Sequence, residues 1–114
     1  MARVNHKRVK QLLDEKRSKI TDRQFFTSRI LAGHFEDVAA AQTKRYGYRK
    51  RIRVQLYWKS KDPSVAWTDN TCITINCGNQ MVTKVRGRNS RYTIIMGLFA
   101  HELGHLLGTD FLVK

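Results

Sequence analysis

Two histidines four residues apart, with a glutamate directly after the first, are the residues of this chain best placed to do chemistry: His101-Glu102-Leu103-Gly104-His105. On an α-helix that spacing puts both imidazoles on one face about one turn apart, within reach of a single ion such as Zn²⁺. Glu102 then lies beside the ion rather than on it. From there its carboxylate can take a proton from ion-activated water and pass it to a leaving amine. The chemistry implied is hydrolysis of a peptide bond, with His101 and His105 as metal ligands and Glu102 as general base. The competing reading makes His101 and His105 surface histidines and Glu102 their solvated neighbour.

A helix has to carry this group. Apolar residues at 94, 95, 98, 99, 103, 106 and 107 form a stripe wide enough to bury most of one, Ser90 is placed to cap its start, and Gly108 stands where it should stop. Two imidazoles and a carboxylate buried on such a helix without partners would cost several kcal/mol, which favours a metal. Gly104 costs about 1 kcal/mol against alanine inside a helix, and close approach of another backbone is the usual reason for one.

Upstream, Val4, Val9, Leu12, Leu13 and Ile20 recur at helical spacing among charged residues, predicting a basic amphipathic helix over 4–20. Thr21-Asp22-Arg23-Gln24 has the form of an N-terminal cap, and Phe25 to Tyr46 reads as a second, longer helix bent near Gly33. Arg51 to Trp58 alternates as a half-buried strand, Lys61-Asp62-Pro63-Ser64 breaks it, and Val65-Ala66-Trp67-Thr68 is a second extended piece. Asp69-Asn70 makes a tight turn into a third strand, Thr71 to Asn76. Residues 79–86 fit a short strand or a helical turn. The fold class is α+β: two helices, a small sheet, then the helix with the paired histidines.

The 114 residues make one domain with a single modest core. No apolar run approaches membrane-spanning length and the N-terminus is too polar for a secretory signal, so the chain reads as cytoplasmic. Cys72 and Cys77, the only cysteines, flank one strand and stand roughly 16 Å apart, too far to pair, which fits reduced thiols in a reducing compartment. The net charge of +13 concentrates in residues 3–29, 44–53 and 84–91 and spares the histidine-bearing helix. Such a balance attracts polyanions, nucleic acid above all, although a solubilising surface explains it as well. Tyr46, Tyr48, Tyr57 and Trp58 interleave with the middle cluster and suit either base stacking or, for Tyr57 and Trp58, a strand core.

Helical support, a short meander and a His-Glu-x-x-His helix resemble the N-terminal half of the zincin metallopeptidases. Ala66-Trp67-Thr68-Asp69, Ile73-Thr74-Ile75-Asn76 and the run from Gly97 to Phe111 are similar to the metallopeptidase domain that precedes von Willebrand factor A-like domains in bacterial and phage proteins. The resemblance covers roughly residues 50–114. It implies that His101 and His105 ligate Zn²⁺, that Glu102 is the general base, and that an extended peptide or protein substrate adds to a sheet edge. That edge would be Thr71 to Asn76, through Thr71, Ile73 and Ile75, or its neighbour Val65 to Thr68. A C-terminal von Willebrand factor A-like domain or an AAA+ protein would be a further partner.

The third ligand departs from the pattern. Metzincins place glycine three residues and histidine or aspartate six residues after the second histidine; here Gly108 fits, but the sixth position is Phe111 and Asp110 comes one place early. Asp110 is the candidate ligand, or a partner that orients a histidine. Gluzincins take a glutamate from a later helix, and none precedes Lys114. We therefore expect a domain truncated at its C-terminus, lacking a ligand and the residue that stabilises the oxyanion. Two alternatives to an endopeptidase remain: a nucleic-acid-associated protease like the SprT family, and a catalytically idle zincin scaffold that binds nucleic acid or a protein.

Overall fold

The computed structural model describes residue 10 and residues 20–48, 50–69 and 71–108. The amphipathic helix expected over 4–20 falls, but for Lys10 and Ile20, outside the described residues, as does Asn70 of the expected turn. The elements are α1 (Asp22–Phe26), α2 (Arg29–Arg45), β1 (Arg53–Tyr57), β2 (Ala66–Asp69), β3 (Cys72–Asn76), α3 (Gln80–Thr83) and α4 (Arg88–Leu106), an α+β arrangement.

The helix expected from Phe25 to Tyr46 is two helices, and the break lies at Thr27-Ser28 rather than Gly33. Thr21 opens α1 with a complete capping box, its Oγ1 accepting from Gln24 N at 3.1 Å while its own N–H donates to Gln24 Oε1 at 2.9 Å. Ser28 then serves both helices: its hydroxyl donates to the Phe25 carbonyl at 2.7 Å and accepts from Leu31 N at 3.2 Å. A residue that caps the next helix must itself be extended (φ −74°, ψ 150°), which ends the first.

The three strands form one sheet in the order β1-β3-β2. β1 runs parallel to β3 and β2 antiparallel to it, with Val54 opposite Ile73 and Thr68 opposite Ile73 on the other side. This corrects the expected meander. The alternation within each strand puts Val54, Ile73 and Ile75 on one buried face, where Ala66 and Thr68 of β2 join them. α2 covers that face at β1, and α4 covers it at β2 and β3.

Between helices and sheet the core closes on aromatic and aliphatic side chains. Leu31, Phe35 and Ala39 of α2 meet Ile95, Phe99 and Leu103 of α4, four residues apart on each helix, with the Phe35 and Phe99 rings stacked at 4.8 Å. On the opposite face Tyr57 and Trp67 reach over the central strand and touch edge to face at 5.7 Å. The stretch 79–86 contains the short helix α3, capped by Asn79, rather than a strand.

Two asparagines hold the loop between β1 and β2. Asn76, wholly buried, accepts from Lys59 N and Gly78 N and donates to the carbonyls of Lys59 and Ser64, all within 2.9–3.1 Å. Asn79 caps α3 through Met81 N and donates to the carbonyls of Asp62, Pro63 and Ser64. Trp58 lies against Gly78 so closely that a Cβ there would fall 2.7 Å from ring carbons, so no larger residue fits.

Candidate metal centre

α4 starts three residues earlier than the Ser90 cap predicts. Gly87 is its N-cap, in the left-handed region at φ 89°, and supplies no side-chain bond. Side chains of the first turn hold the helix instead. Arg88 donates to Asp22 Oδ1 and the Ile20 carbonyl, while Arg91 donates to Asp22 Oδ2 and the carbonyls of Thr83 and Val85, all at 2.6–2.7 Å. Gly108, at φ 106°, ends the helix as expected.

Of the predicted apolar stripe on α4, Ile95, Phe99 and Leu103 are the buried members. Its other members, Ile94, Leu98, Leu106 and Leu107, pack half-buried against the same core, yet His101 and His105 lie exposed. Burial of the imidazoles therefore does not demand a metal. The geometry makes a separate case. The two Nε2 atoms face each other at 3.1 Å, with the ring planes at 88°. Two imidazole nitrogens bound at Zn–N distances near 2.05 Å in a tetrahedral site would stand ~3.3 Å apart. The same contact serves two neutral imidazoles that share one proton.

Glu102 differs from its histidine neighbours in being half-buried. Its Oε1 accepts a 2.6 Å hydrogen bond from Thr68 Oγ1 on β2. Donor atoms from His101, Glu102 and His105 all lie within 4.8 Å of one another, and among the described residues this is the group able to hold an ion. Asp110 lies outside the described residues. Cys72 and Cys77 are free thiols and take no part in the group. Gly104 lines an apolar cavity of about 280 Å³ between α2 and α4, with Val38, Met96, Ala100 and Leu107.

The expected substrate edge needs correcting. β3 is hydrogen-bonded on both sides, and Ile73 and Ile75 are wholly buried, so Thr71, Ile73 and Ile75 offer no free edge. The outer flank of β1 is engaged as well, because Glu36 of α2 accepts from Val54 N at 3.0 Å while Arg29 holds its other oxygen. That leaves β2, the alternative edge, with α4 packed against it. Thr68, foreseen only as part of that alternative edge, is also the partner of Glu102. Its one signal was alternation, which puts Ala66 and Thr68 on the core side and Trp67 and Asp69 outside.

Comparisons with known protein families, with curated proteins and with solved structures returned no match to this chain. Among the described residues no helix is long and apolar enough to cross a membrane.

Proposed function

We propose that the chain is a zinc-dependent peptidase domain in which His101 and His105 hold the ion and Glu102 moves the proton. The observation that carries this reading is the pair of Nε2 atoms at 3.1 Å with a tethered carboxylate in the same 4.8 Å group. Zinc, when bound, supplies the Lewis acidity that polarises a scissile carbonyl and lowers the pKa of water toward about 7. Both imidazoles fit it, being nitrogen donors at nearly tetrahedral separation on a rigid helix. Glu102 takes the proton of the attacking water and returns it to the amine nitrogen as the peptide bond breaks. The outer edge of β2, unpaired among the described residues, receives an extended peptide beside α4, main chain to main chain. Asp110 stays the candidate for a third ligand.

Elemental analysis of the purified chain tests the reading. We expect about one zinc per chain, lost when His101 and His105 are both changed to alanine and kept in Glu102→Gln. Hydrolysis of a mixed fluorogenic peptide library should fall by 10²-fold or more in Glu102→Gln. Stoichiometric zinc in the double-alanine protein would place the site elsewhere, and an unchanged rate in Glu102→Gln would remove Glu102 as the base.

A further inference from the structure

We infer that Thr68 determines whether Glu102 serves as a base or as a metal ligand. The inference rests on the metal-centre reading above and concerns a residue that the His-Glu-x-x-His pattern does not contain. Thr68 sits on the inner side of the edge strand β2, half-buried, across from Ile73. Its hydroxyl oxygen is 2.6 Å from Glu102 Oε1 and 3.5 Å from the Glu102 carbonyl oxygen. One hydroxyl carries one proton, and the short contact to the charged oxygen is the stronger acceptor. No other hydrogen bond to the Glu102 carboxylate occurs among the described residues.

That single bond acts on a side chain with two available fates. A carboxylate oxygen of Glu102 is within 4.8 Å of the histidine donor atoms, and carboxylates ligate zinc readily at about 2.0–2.2 Å. A glutamate has three side-chain torsions with which to cover the remaining distance. Thr68 holds Oε1 against the strand, so the carboxylate stays beside the ion site with Oε2 left to accept a proton. Without the hydroxyl, the carboxylate can close onto the ion as a third donor. The ion would then be bound more tightly and the base lost.

Cobalt(II) is a suitable probe because its visible absorption reports coordination number and ligand type. The chain is titrated with Co²⁺ alone as wild type, Thr68→Val, Thr68→Ala, Thr68→Ser, Glu102→Gln and the Thr68→Val/Glu102→Gln double variant, with thermal melting to verify each fold. Valine keeps the β-branched shape of a strand residue and removes only the hydroxyl. Thr68→Ala replaces it if the valine protein does not fold. We expect Thr68→Val to bind Co²⁺ roughly 10-fold more tightly, the scale on which outer partners tune metal sites, with an altered visible spectrum. Thr68→Ser should keep the wild-type affinity and spectrum, and the double variant should return to those of Glu102→Gln. Identical titrations for Thr68→Val and wild type would overturn the inference. So would a change that persists in the double variant, because the hydroxyl would then act on the helix and not through Glu102. A wild-type chain that takes up no Co²⁺ sinks the metal centre itself, a failure seen before any variant is compared.

Discussion

Asp22, in the first turn of α1, grips two arginines of α4 at once: its Oδ1 meets Arg88 Nε at 2.7 Å and its Oδ2 meets Arg91 Nη1 at 2.7 Å. The Arg88 side chain is 5% exposed and lies over the Phe25 ring at 5.3 Å. Two positive charges in the first turn of a helix oppose its dipole, and Gly87 contributes no side-chain cap. The carboxylate therefore offsets an unfavourable start to the helix that carries the paired histidines.

Removing it should cost stability. Asp22→Ala strands a buried guanidinium, and breaking such a pair typically costs 3–5 kcal/mol. We expect the urea midpoint to fall accordingly, with Asp22→Asn intermediate because the amide keeps an acceptor for one arginine. An Asp22→Ala protein within 1 kcal/mol of wild type would mean that the Ile20, Thr83 and Val85 carbonyls suffice to hold the arginines.

Asn76 is expected to be intolerant of change. It is wholly buried and satisfies two backbone N–H groups and two carbonyls, so Asn76→Ala leaves several polar groups without partners at roughly 1–3 kcal/mol each. Asn76→Asp at neutral pH sets a carboxylate oxygen against the Lys59 and Ser64 carbonyls where an amide now donates. Its deficit should shrink as pH falls and the acid regains a donor. Thermal melts at pH 7 and pH 4, each against wild type, measure both effects.

The stability of the fold should decline steeply in alkali. Burial raises the Cys77 thiol from 9.0 to about 12, and burial together with the hydrogen bond to Asp62 raises the Tyr57 phenol from 10.0 to about 12. Both groups are neutral when protonated, so the unfolded chain ionises first. Their contribution is complete below pH 9 and is lost as pH rises toward 12. For Cys77 alone the span is on the order of 4 kcal/mol. Cys77→Ala should begin less stable at pH 8, having lost a buried sulfur, yet fall less between pH 8 and pH 11. Parallel urea midpoints for the two proteins across that range would refute this account.

Much of the local structure was legible because its causes are local. The cap at Thr21, the alternation of β1, the stop at Gly108 and the pairing of His101 with His105 each depend on residues a few positions apart. What was not legible depends on distant partners. The parallel register of β1 on β3 is fixed by which buried faces meet, and no local pattern encodes it. Thr68 gains its meaning only when β2 lies beside α4, 34 residues later. The break before α2 was misplaced for another reason. Gly33 is the weaker helix former, but Ser28 has two hydrogen bonds to gain by leaving the helix, and that enthalpy outweighs a glycine's conformational cost.

The positive charge predicts weak, sequence-independent binding to nucleic acid. Lys44, Arg45, Lys50, Arg51 and Arg53 are all exposed where α2 ends and β1 begins; Arg49, in the same run, lies outside the described residues. None of the five forms an ion pair among the described residues. Lysines and arginines that neutralise phosphates release condensed counterions, and log affinity for duplex DNA falls by roughly 0.9 per contact for each decade of salt. Reversing Lys50, Arg51 and Arg53 to glutamate should therefore weaken binding at low salt and flatten the salt slope by about 3. Fluorescence titrations of labelled duplex and single strands at 50 and 200 mM salt decide the matter. Binding indifferent to both salt and charge reversal, or none even at 50 mM, would assign these cations to solubility and leave the paired histidines as the candidate chemistry among the described residues.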